Sequence, residues 1–173
     1  MSRRYRSSQT VLVLVAGAAA GCGATARNGL PLSRWLSASP AQRSVILTLI
    51  PGDDSVLRGY NFNGCGRGQV LMQVPRGWRV VVRCLNTASS IRHSCAVISD
   101  SLSSRPAFPG AATPGARRGL APGRSASFSS LASRPGSYRL ACVVDDHELA
   151  GMWDAFQVGG TRVPSVRLLH LRP

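Results

Sequence analysis

From Trp78 to Leu85 the side chains alternate strictly. Trp78, Val80, Val82 and Cys84 share one face, and Arg79, Val81, Arg83 and Leu85 share the other. A period of two belongs to an extended strand with one face buried. Similar short runs recur along the chain. Residues 45–50 form a β-rich run closed by Pro51-Gly52-Asp53-Asp54, and residues 70–74 form another closed by Pro75-Arg76-Gly77. Residues 60–64, 93–98, 125–129, 137–143 and 153–158 complete the set, and residues 100–124 form a Pro/Gly/Ser/Ala-rich loop without periodicity. No segment carries a convincing helical moment. Seven or eight short strands separated by turn signals predict an all-β, antiparallel β-sandwich.

The ends of the chain read differently. Ser2-Arg3-Arg4-Tyr5-Arg6 is a positively charged opening, followed by an apolar run over 11–21 that is too short for a comfortable membrane span. Residues 1–26 are therefore expected to be a signal peptide or membrane anchor. Two processing sites compete: the small-residue site Ala24-Thr25-Ala26, and Ala19-Ala20-Gly21-Cys22, which resembles a lipoprotein signal with Cys22 acylated. Every version places the remainder outside the cytoplasm, in a periplasm or at the outer face of the cytoplasmic membrane. Residues 27–43, small and polar with Pro31 and Pro40, are expected to be a linker before a domain over 44–158. The basic and apolar tail, 159–173, is expected to be an ordinary extension. The other readings of the tail are an added edge strand or a segment lying on a membrane.

Net charge is +14, and each of the 21 basic residues is an arginine. They are scattered and lack an aromatic-rich motif, so nucleic acid is not the expected partner. A basic surface docking on an acidic partner or membrane fits better.

The chemistry is concentrated between Cys142 and Met152. Four residues separate Cys142 from His147, and four more separate His147 from Met152. Thiolate, imidazole and thioether are soft or borderline ligands that suit copper; two His, one Cys and a weak axial Met make the blue-copper arrangement. Zinc would use Cys and His but not Met. The second histidine must come from elsewhere in the chain, and His93 is the candidate because His170 lies in the tail. Asn86 and Ser94, near His93, are expected to support the ligands and the cysteine sulfur through hydrogen bonds.

These segments resemble a known family. Asn61-Phe62-Asn63-Gly64, Val74-Pro75-Arg76-Gly77-Trp78, Asn86, His93-Ser94, Phe108-Pro109-Gly110-Ala111, Gly119-Leu120, Gly136-Ser137-Tyr138 and Gly151-Met152-Trp153 are similar to sulfocyanin, of the cupredoxin family, which also includes the similar rusticyanin. The resemblance covers roughly residues 44–158. It implies a Greek-key sandwich or barrel and one type 1 copper bound by His93, Cys142, His147 and Met152. It also implies one-electron transfer in a respiratory chain, with redox proteins such as a cytochrome or terminal oxidase as partners. The chain departs from the family by having Asp145-Asp146 where Pro-Gly is usual, and Cys65 where an aromatic is common. Four of its seven acidic residues, Asp145, Asp146, Glu148 and Asp154, lie in or beside the ligand loop. That predicts a lowered reduction potential or, alternatively, docking of a basic partner. A third reading is that these acids face solvent and pair with Arg92 and other local arginines.

Only three histidines are present. Two are taken by the expected site, so no further His-rich copper centre can be built, and an electron carrier is expected rather than an enzyme. The competing readings are a copper storage or delivery module and a degenerate sandwich that serves as an interaction domain. Among the remaining cysteines, Cys84 and Cys95 are expected to pair and Cys65 to stay free.

Overall fold

The computed structural model describes Cys22 and residues 31–99 and 102–169. The rest of the expected signal segment, residues 27–30 of the expected linker and residues 170–173 of the tail lie outside the described residues. Among the described residues no helix is long and apolar enough to cross a membrane.

Among the described residues nine strands make two sheets. They are β1 (Leu36–Ser39), β2 (Ser44–Leu49), β3 (Val70–Val74), β4 (Arg79–Leu85), β5 (Ala96–Ile98), β6 (Ser125–Leu131), β7 (Gly136–Ala141), β8 (Trp153–Val158) and β9 (Ser165–Leu168). One sheet has the order β1-β2-β4-β6, the other β5-β7-β8-β3-β9. The chain passes from one sheet to the other at every connection from β2 to β7. This is the all-β, cupredoxin-like sandwich that the sequence predicts.

The alternation in β4 holds. Val80, Val82 and Cys84 are buried while Arg79, Arg83 and Leu85 are exposed. Val45, Leu47 and Leu49 of β2 join them from the same sheet; Met72, Phe156 and Val158 face them from the other. Burying such side chains is worth roughly 1.5–3 kcal/mol each before entropy is counted. The Cys84–Cys95 disulfide forms as expected and links the end of β4 to the approach to β5, joining the two sheets.

Three expectations need correction. The pairing is not uniformly antiparallel: β2 runs parallel to β4, and β3 parallel to β8. The strands of each of these pairs are not consecutive in the chain, so no hairpin forces them antiparallel. The segment 27–43 is not a plain linker either. A 3-10 turn over Leu32–Arg34 leads into β1, which pairs antiparallel with β2. Trp35 is only 1% exposed, filling the core beside that edge. Finally, Cys65 is not free: it is bonded to Cys22.

The tail needs a further correction: it is not the ordinary extension expected but follows the edge-strand alternative. Ser165–Leu168 pairs antiparallel with β3 and covers that edge of the second sheet.

If residues 32–39 are integral to the domain, Trp35→Ala empties a core position and destabilises the protein by about 3–5 kcal/mol. Chemical denaturation monitors this; a change near zero would restore the linker reading.

Candidate metal centre

Cys142 follows directly on β7, and Met152 directly precedes β8. The ladder between these strands continues one step further, with the Cys142 N–H donating to the Met152 carbonyl at 3.1 Å. The intervening loop must therefore leave and return at one point. Inside it, the His147 N–H donates to Val144 O (3.2 Å) and the Met152 N–H to His147 O (2.9 Å), folding His147 back toward Cys142. His147 Nδ1 ends 3.3 Å from Cys142 Sγ. Asp146 takes a left-handed conformation, φ 63°, to allow the turn, a region that Asp and Asn tolerate better than most residues.

His93 arrives from the β4–β5 connection. It exchanges two backbone hydrogen bonds with Leu120, His93 N–H to Leu120 O at 3.1 Å and Leu120 N–H to His93 O at 2.7 Å. Gly119 makes this approach sterically feasible. A Cβ there would stand 2.7 Å from the Val144 side chain and 3.2 Å from His93 N, and φ is +72°. The ligand atoms of His93, Cys142 and His147 all lie within 4.8 Å of one another.

This group fits a metal. His93 is completely buried, yet neither ring nitrogen has a hydrogen-bond partner. A buried orphan of this kind costs about 1–3 kcal/mol unless something satisfies it. Burial and the neighbouring His147 hold the His93 imidazole down to about 4 against the opposing pull of Asp54. It is thus the neutral base a metal requires. Burial also lowers His147, opposed by Asp146 and Asp145. The Cys142 thiol is raised by burial, and this is partly offset by hydrogen bonds from Ser94 and from the Val144 backbone. One thiol and two imidazoles is a donor set that suits copper. Met152 is fully buried beside them in the chain.

Ser94 sits where the sequence predicts. Its N–H donates to Cys142 Sγ at 3.2 Å, and its Oγ lies 3.6 Å from the same sulfur. The Oγ accepts the Val143 N–H at 3.0 Å, so its own proton is free to point at the sulfur. Asn86 works differently from the expectation, because its contacts are with loop carbonyls rather than the sulfur. Its Nδ2 donates to Ile91 O (2.8 Å) and Leu120 O (2.9 Å), and its Oδ1 accepts the Ala88 N–H (3.0 Å). It acts on His93 at one remove, by fixing the carbonyl that His93 also uses.

Sequence reasoning missed Tyr60. Its ring meets His147 edge-on at 4.8 Å between centroids and His93 at 6.3 Å. Its place just before Asn61-Phe62-Asn63-Gly64 was the available signal. His147 is 8% exposed; His93, Cys142 and Met152 are 0%.

The four acids of this region separate. Asp154 is interior: its Oδ1 accepts the Val70 N–H at 3.0 Å, Oδ2 has no partner, and burial raises its carboxyl well above the usual range. It is therefore no part of the charged rim. Glu148 pairs with Arg139 at 2.6 Å and accepts the Leu102 N–H at 2.8 Å. Arg139 also lies 4.0 Å from the Trp153 ring centroid. Arg92 instead donates to Gly119 O. Asp145 and Asp146 are exposed.

Comparison with known proteins agrees with this chemistry. The family described as "Sulfocyanin (SoxE) domain" matches residues 31–165. A sulfocyanin from Sulfolobus acidocaldarius is 26% identical over 128 residues, 66% of this chain and 63% of that protein. The chain thus spans less than two thirds of that relative's length. Among solved structures, a blue copper oxidase from Nitrosomonas europaea superposes with a TM-score of 0.52 at 22% identity, over 66% of this chain and 38% of the other. A dithionite-reduced auracyanin from Roseiflexus castenholzii gives 0.49 at 20% identity, over 71% and 99%. At such identities the likeness to the oxidase concerns the fold alone.

In the metal-free protein, Ser94→Ala strands the Val143 N–H, while the backbone N–H of residue 94 still reaches Cys142 Sγ. A loss of about 1–3 kcal/mol is expected, measured by urea unfolding; an unchanged midpoint would mean that water replaces the hydroxyl.

Proposed function

We propose that this chain, which belongs to the sulfocyanin family of blue copper proteins, works outside the cytoplasm as a carrier of single electrons between redox proteins. The observation that carries the reading is the buried His93 imidazole, with both nitrogens unpartnered, facing Cys142 and His147. In this reading His93, Cys142 and His147 hold one copper and Met152 completes the set. Copper alternating between its cuprous and cupric states supplies the one-electron chemistry.

The protein's own residues make the site suited to that work. Ser94 donates to the cysteine sulfur and so tempers its charge, a lever on potential. Asn86, Leu120 and Gly119 fix His93 through the backbone. A site held by two separate loops and closed on three of its four residues favours a rigid carrier over a delivery module, which needs an accessible, exchanging site. With His93 and His147 committed, His170 is the remaining histidine. That is too little for a second, substrate-reducing copper centre, so the proposed role is not enzymatic.

Support for a protein partner comes from the surface beside His147. Leu102 and Leu149, 62% and 68% exposed, line one depression together with Asp145 and Asp146. A partner with a basic, partly apolar face, such as a cytochrome or terminal oxidase, would match it. Support for export comes from the charged-then-apolar N-terminus and from two disulfides, which persist in oxidising compartments.

Adding cupric ion to the purified protein should produce an intense visible thiolate-to-copper absorption band, lost in Cys142→Ser. A folded, colourless protein ends the blue-copper assignment, and a blue protein that does not cycle reversibly at an electrode ends the carrier role. Asp145→Asn and Asp146→Asn each remove a negative charge that stabilises the cupric state. Their potentials should rise by tens of millivolts, the scale of a ~1 kcal/mol interaction at a one-electron centre. Redox titration reads this directly, and potentials that stay put show the two carboxylates to be fully screened.

A further inference from the structure

Five cysteines are present, and the structure gives each a place. Cys84 is bonded to Cys95, Cys22 to Cys65, and Cys142 is the one free thiol. The second bond bears on how the N-terminus is processed. Cutting after Ala26 would discard Cys22, while attaching a lipid to Cys22 would occupy the sulfur that Cys65 needs. We propose that Cys22 is instead retained in the mature protein as a disulfide partner, stapling the N-terminal segment to the metal-bearing end of the domain.

The surroundings of Cys65 carry the argument. Cys65 is completely buried, and Cys22 packs against the same core cluster. The backbone of Cys65 is clamped to Phe62 by two hydrogen bonds of 2.8 Å, so its side chain has a fixed direction. The next residues lie directly on the ligand loop. The Arg67 N–H donates to Gly151 O (2.8 Å) and the Gly68 N–H to Trp153 O (2.9 Å), and a Cβ on Gly66 would stand 2.6 Å from Gly151 O. The staple therefore attaches one residue away from the segment that packs against Gly151 and Trp153, the neighbours of Met152.

Thiol parity points the same way. Without Cys22 the exported protein would hold two unpaired thiols, Cys65 and Cys142, in an oxidising compartment. With Cys22 kept, every cysteine but the metal-binding one is consumed, and Cys142 has no thiol left to pair with. Forming the bond removes two protons and two electrons from the Cys22 and Cys65 thiols. Thiol–disulfide exchange passes them to a disulfide-bearing oxidoreductase of that compartment, or in a test tube to glutathione disulfide.

Retention rests on the export proposed above, whereas the pairing does not, so two arms separate them. In the first, the full chain is oxidised with glutathione disulfide without metal, alkylated after unfolding and digested without reductant. A Cys22–Cys65 cross-linked peptide and alkylation at Cys142 alone are expected. Alkylated Cys65, or a Cys65–Cys142 link, overturns the pairing. A structural role for either side chain by itself is excluded by a cycle: Cys22→Ala, Cys65→Ala and the double variant should lose the same stability, and additive losses overturn the pairing. In the second arm, the full chain is exported from a bacterial host and its intact mass measured. An N-terminus at or before residue 22, with no lipid mass, is expected. An N-terminus at residue 27 or a diacylglyceryl mass on Cys22 overturns retention. A chain that never leaves the cytoplasm overturns export and retention together, while the first arm still decides the pairing.

Discussion

One hydrogen bond sets the geometry of the ligand loop: the Cys142 N–H to the carbonyl of Met152. It extends the β7–β8 ladder just beyond the strands, so the loop between them has its two ends pinned side by side. The spacing of four and four then has a physical meaning. A loop closed at that point, and folded inward by the His147 and Met152 backbone bonds, brings an imidazole back over the sulfur at which the loop began. The sandwich supplies two antiparallel strands; the loop between them supplies Cys142, His147 and Met152.

His93 comes from the β4–β5 connection and depends on a separate set of constraints. Its backbone is zipped to Leu120, Leu120 is held by Asn86, and the approach tolerates no side chain on Gly119. The long loop that follows β5 thus has a structural purpose. Bridges at Ala112 and Pro106 pair it with β5, and its far end positions a ligand. The Cys84–Cys95 bond lies just beside, tying that connection to the opposite sheet.

Much of this was legible in the sequence, for reasons that differ from residue to residue. The period of two from Trp78 to Leu85 reports burial directly, and burial is local to one strand. The ligand spacing reports chemistry, and copper needs few residue types. What escaped reading was non-local. Nothing within residues 45–49 tells that their partner runs parallel, because direction follows from crossovers elsewhere in the chain. Trp35 sits among Ser, Pro and Arg, a composition that resembles a linker, and only its partner strand makes the segment β1. Cys22 and Cys65 are 43 residues apart, and pairings of cysteines are not encoded in spacing. Asp154 was legible but misread: it is in phase with Phe156 and Val158 on the buried face of β8, so its position in that alternation outweighed its charge.

Tyr60 gives the site an asymmetry. Three of the four residues named for the metal are sealed from solvent, and the fourth, His147, shows a thin edge with an aromatic ring leaning against it. Such a centre resembles an insulated conductor with one bare contact. In the proposed role electrons would cross a few ångströms of imidazole edge without any atom moving, whereas a chelator, a small oxidant or a competing ion would need the loop to open first. Opening means breaking the bonds that pin Cys142 to Met152, and so the same closure that gathers the donors also decides what is allowed to leave.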